Sequence, residues 1–61
     1  MKHSEHQYLE LGYRFERAGA QPRAKSVAAE IRALLESETV EDRVEARFLV
    51  ERGRQEARTQ H

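Results

Sequence analysis

The chain has no cysteine, one proline, three glycines and no excess charge of either sign. Without cysteine there is no disulfide and no thiolate metal site. A domain of 61 residues therefore lacks the staples that usually support so small a core, and association between copies becomes the natural substitute. Eleven basic and eleven acidic side chains cancel. That balance argues against a general nucleic-acid or membrane binder, in which Lys and Arg predominate. No stretch nears the roughly 20 apolar residues of a membrane span. The opening "MKHSEHQ" has no apolar region of a secretory signal, so a cytoplasmic protein with no membrane partner is expected.

What is present is a helical alphabet: Ala, Leu, Glu, Arg and Gln dominate, and β-branched residues are sparse. Apolar residues recur with a period near 3.6 in three segments. The first covers residues 4–18. Ser4 is placed to cap it and Glu5 to favour the positive end of its dipole. Tyr8, Leu11, Phe15 and Ala18 form one stripe, and Leu9 and Tyr13 widen it on one flank. Gly19 suits the residue after a helix, and Pro22 suits the first turn of the next. "GAQP" is thus expected to turn the chain between antiparallel helices.

The second segment covers residues 22–37, with Ala24, Val27, Ala28, Ile31, Leu34 and Leu35 on one face. The third covers residues 39–56. Thr39 followed by Asp42 resembles a capping box. No Gly or Pro separates these two segments, but the apolar stripe changes direction, so a tight break is expected between residues 36 and 39. The polar tail, residues 57–61, is expected to fray.

The third segment carries two apolar sectors. Val40, Val44 and Phe48 form one; Ala46, Leu49, Val50 and Ala57, with Gly53 beside them, form the other. Arg43, Arg47, Arg54 and Arg58 run between them on one side, and Glu41, Glu45 and Glu56 on the other. A helix at the edge of a monomer needs one buried stripe. Two sectors imply two neighbours, one within the chain and one outside it. Leu9 and Tyr13 are a similar surplus on the first segment. The expected fold is all-α: an antiparallel helical hairpin plus a third helix, completed by homodimerisation. The expected function is that of a small non-enzymatic adaptor or regulatory protein working through helix-mediated protein–protein interaction. Its expected partner-binding residues are Leu9, Tyr13, Arg43, Arg47, Leu49, Val50 and Arg54.

The alternative is a nucleic-acid-binding regulator whose Arg43, Arg47, Arg54 and Arg58 track phosphates at helical spacing. Neighbouring Glu51 and Glu41 dilute that field, and pairing along the helix is the ordinary use of such charges. Other chemistry finds little footing. His3 and His6 stand three apart, but no four-ligand metal set completes them. The carboxylate pairs Glu36 with Glu38, and Glu41 with Asp42, lack the cleft that would separate their proton affinities. "ERAGAQPRA" lacks the spacing of a phosphate loop. No cofactor and no enzymatic activity are expected.

Tyr8, Leu11, Gly12 and Phe15, followed by Ala24 and Ala28, stand at spacings similar to those of a tetratricopeptide repeat, over about thirty residues. The resemblance implies that Gly12 lets the second helix approach closely, with Ala24 and Ala28 as the small residues at that contact. Ile31 replaces a usual alanine, the terminal proline is missing and no second copy follows. The likeness is one of packing logic between two helices, not of family membership.

Overall fold

A computed structural model describes residues 1–60; His61, a member of the expected frayed tail, lies outside them. The described residues form three helices: α1, Glu5–Ala18; α2, Arg23–Glu36; α3, Val40–Thr59. Local chemistry sets their ends. The Ser4 hydroxyl accepts from the Gln7 N–H at 3.1 Å, so α1 starts where its cap allows. Gly19, at φ 56° and ψ −124°, has the backbone of the first central residue of a type II′ turn. The turn closes with the Gln21 N–H donating to the Ala18 carbonyl at 3.0 Å. Thr39 caps α3 by accepting from the Asp42 N–H at 3.2 Å. The other half of the capping box is diverted: the Asp42 carboxylate lies 3.4 Å from the amino terminus.

The break between α2 and α3 falls at residues 37–39, inside the expected interval. Arg43 secures it. Its guanidinium donates to the carbonyls of Leu35 (2.9 Å), Glu38 (3.3 Å) and Glu36 (3.5 Å), covering the orphan acceptors at the end of α2.

The principal contact is between α1 and α3, not within the hairpin. These two helices run in the same direction. Tyr8 packs with Ala46 and Leu49 near their starts, and Glu16 meets Arg54 and Arg58 towards their ends. Gly12 and Gly53 bring the backbones together. A Cβ on Gly12 would collide with the Val50 carbonyl, and one on Gly53 with the Leu9 carbonyl and the Tyr13 nitrogen. Gly12 therefore serves the third helix, which corrects the role that the repeat-like spacing implied for it. Each glycine offers a Cα–H towards an opposing carbonyl, a contact worth about 0.5–1 kcal/mol.

Two further expectations are revised. α3 continues to Thr59 instead of fraying from residue 57. Ala57 is buried because it extends the line of Ala46, Leu49 and Gly53 that lies on α1. The surplus Leu9 is absorbed inside the chain, where it packs with Val50, Leu34 and Leu35 against the Tyr8–Ala46–Leu49 cluster. No helix is long and apolar enough to cross a membrane among the described residues.

Candidate protein-docking face

Val40, Val44 and Phe48 are spaced by four residues and fall on one side of α3. They are 71%, 67% and 64% exposed. The opposite side of the same helix carries Ala46, Leu49, Gly53 and Ala57, all buried. The reason lies in size. Two backbones approach closely only through small residues, so the sector with Gly53, Ala46 and Ala57 faces α1. The bulkier sector is turned away from it.

The residues expected to bind a partner are consequently dispersed. Leu49 is 5% exposed and belongs to the core. Leu9 and Val50 are half-buried between helices. Tyr13 is half-buried, donates to Gln60 Oε1 at 2.5 Å and accepts from the Arg17 guanidinium at 3.3 Å. Arg43 caps α2. Arg54 bonds Glu16 Oε1 at 3.0 Å and lies over the Phe15 ring, 5.0 Å from its centroid. Arg47 is exposed. Arg43 and Arg54 stand about 16 Å apart along α3, at 1.5 Å per residue, so the set does not form one patch.

The arginine line of the alternative reading is largely occupied. Arg58 lies 3.4 Å from Glu16 Oε2 and 3.2 Å from Glu51 Oε2. Hydrogen bonding from Arg54, with help from Arg58, holds the Glu16 carboxyl below its usual range. Of the four arginines, Arg47 alone makes no such contact among the described residues.

Glu38, which the sequence offered only as half of a carboxylate pair with Glu36, is a buried polar residue. It is 5% exposed. Its carboxylate accepts from the Tyr8 hydroxyl at 2.6 Å, the Lys2 N–H at 2.7 Å and the His3 N–H at 3.1 Å. Burial alone would raise its pKa. These three donors, with His3 nearby, outweigh burial and hold it at about 2. Burial, together with this carboxylate, pushes the Tyr8 phenol in the opposite direction, upward. The signal was available: Glu38 stands eleven, seven and four residues after Val27, Ile31 and Leu34, in register with the apolar stripe of α2. The arrangement is a clasp that ties residues 2 and 3 to the α2–α3 connection, with no open cleft at the carboxylate.

His3 shares a hydrogen bond of 3.0 Å with the Ser37 hydroxyl. His6 lies 3.8 Å from Glu10. No group of three His, Asp or Glu side chains converges as a metal site among the described residues. No known protein family, curated protein or solved structure matches the chain.

Proposed function

We propose that this protein is a non-enzymatic adaptor or regulatory protein that acts through helix-mediated protein–protein interaction. Its docking face is the stripe of Val40, Val44 and Phe48, and the first occupant is the same stripe of a second copy. The observation that carries this reading is the exposure of three large apolar side chains in helical register on the side of α3 opposite the core. Scattered surface apolar residues are ordinary, but an aligned set on one helix face is the pattern of a helix-in-groove or helix-pair contact.

Charge favours a second copy. Glu41, Glu45 and Arg52 follow one another along one edge of the stripe, acid first and base last, all exposed. Two α3 helices laid antiparallel about a two-fold axis passing between Ala46 and Arg47 would bring Phe48 of both copies beside that axis and set Glu41 of one copy against Arg52 of the other. The nucleic-acid alternative has less support, since three of its four arginines already hold carboxylates or helix-end carbonyls.

Sedimentation velocity over a micromolar concentration series tests the reading. The wild type is expected to self-associate. Phe48→Asp and Val44→Asp are expected to be monomeric with unchanged helical circular dichroism, because neither side chain contributes to the core. A wild type that stays monomeric throughout removes the homodimer. Salt-dependent binding to random-sequence DNA or RNA, lost with Arg47→Gln, would favour the alternative.

A further inference from the structure

The opposite end of the molecule carries a feature that the docking face does not use. A cleft of about 440 Å³ lies between the second half of α1 and the first turns of α2, lined by Tyr13, Arg14, Arg17, Arg23, Ser26 and Val27. Its volume falls within the range of small-molecule sites, about 300–1,000 Å³. Three arginines line it, and no Asp or Glu does among the described residues. Among the described residues, no Asp or Glu side chain lies within ion-pair distance of Arg14, Arg17 or Arg23.

That concentration contrasts with α3, where Glu16 and Glu51 pair with Arg54 and Arg58. The first turn of α2 adds Arg23 and contains no acid, against the preference of a helix start for negative charge. Convergent like charges repel, and a cleft of one sign concentrates the counter-ion that relieves them. One of the arginines is also held in place. Arg17 donates to the Tyr13 hydroxyl at 3.3 Å and lies over its ring, 5.8 Å from the centroid, while the hydroxyl is anchored on Gln60. Ser26 adds a polar residue to the lining, and the buried Val27 and Tyr13 give an apolar wall.

We propose that this cleft binds a small organic phosphate. The guanidinium groups of Arg14, Arg17 and Arg23 hold the phosphoryl oxygens through forked hydrogen bonds, and a compact apolar or aromatic body rests on Tyr13 and Val27. A mixed lining of this kind fits a small phosphomonoester better than an extended nucleic-acid strand, which needs a groove along its whole length.

The test titrates the full chain with inorganic phosphate, phenyl phosphate and mixed phosphatidylcholine–phosphatidylserine vesicles at low salt, followed by amide NMR shifts. Phenyl phosphate is expected to saturate the protein more tightly than inorganic phosphate, with shifts concentrated at Tyr13, Arg17, Ser26 and Val27. Arg17→Gln and Arg23→Gln are each expected to weaken it about tenfold, as loss of one charge-assisted contact implies. Both side chains are exposed, so the variants keep the fold; Arg47→Gln, away from the cleft, is expected to bind as the wild type does. Absence of saturable binding, wild-type affinity in both cleft variants, or binding confined to vesicles overturns the proposal.

Discussion

At the scale of single residues, Glu38 has the largest consequence for solution behaviour. Its folded-state pKa is depressed from 4.5 to about 2. A depressed carboxyl contributes stability that is fully present above the unfolded value and is lost as pH falls through the folded one. The Glu38 clasp should therefore be at full strength above about pH 4.5 and weaken towards about pH 2. Protection of the Lys2 and His3 amides, measured as exchange relative to the intrinsic rate at each pH, is expected to fall over that window. In Glu38→Gln the amides exchange quickly at neutral pH, this part of the acid dependence disappears and the thermal midpoint drops by several degrees. An unchanged acid profile in that variant would show that other carboxylates set it. Tyr8→Phe tests the same clasp from the other side: the Lys2 and His3 amides lose protection while the helices persist.

Parts of this residue-level chemistry were readable and parts were not. Ser4, Thr39 and Gly19 act at the helix ends as their types imply, because capping depends on neighbours within three residues. Glu38 was hidden by its own type. A glutamate beside Ser37 and Thr39 reads as a loop charge, and only the fold of residues 2 and 3 back over it supplies the donors. The capping role of Arg43 was hidden for a similar reason: its acceptors are carbonyls, and a pattern of side chains does not display them.

At the scale of helices, the contact between α1 and α3 rests on two glycines. In an exposed helix, Gly→Ala gains up to about 1 kcal/mol. In Gly12→Ala or Gly53→Ala the new methyl meets opposing backbone, which has no rotamer to change. The helices must separate, and the Tyr8–Ala46–Leu49 cluster opens with them. The expected net loss is about 2 kcal/mol or more, from overpacking and partial loss of the core, measurable by urea unfolding. Gly19→Ala is a contrasting case. A Cβ there meets nothing within 4 Å, so its cost, about 1–3 kcal/mol, comes from φ alone. A synthetic chain with D-alanine at that position, which favours positive φ, is expected to be at least as stable as the wild type.

The helices themselves were legible from periodicity, and so was the double sector on α3. Which sector faces inward was not. On a wheel, Val40, Val44 and Phe48 form the more apolar stripe, and hydropathy alone would bury it. Distance of approach decides otherwise: Gly53, Ala46 and Ala57 allow backbone contact with α1 at Gly12, and that close contact leaves the bulkier stripe outside. The pairing of two glycines 41 positions apart in a 61-residue chain has no local signature.

At the scale of the whole molecule, the shape is flattened, with extents of 33 × 22 × 14 Å. A triangular bundle would have two similar short axes. Here α1 lies between its neighbours, and α2 barely touches α3. Few large side chains are fully enclosed; Tyr8 and Leu11 are the largest. The proposed self-association would add stability to so small a core by mass action. The thermal midpoint of the wild type is expected to rise with protein concentration, whereas that of Phe48→Asp is expected not to. Calorimetry at two concentrations tenfold apart distinguishes them, and a constant midpoint in both would remove association as a source of stability.

The preference of α1 for α3 also fixes an order of events. Contacts between chain segments so far apart close a long loop before any of them is rewarded, which slows folding relative to bundles built from adjacent helices. On the ribosome, α1 leaves the exit tunnel before α3, its principal partner, can reach it. Until Gly53 clears the exit tunnel, the nascent chain has its first two helices and almost nothing for them to enclose.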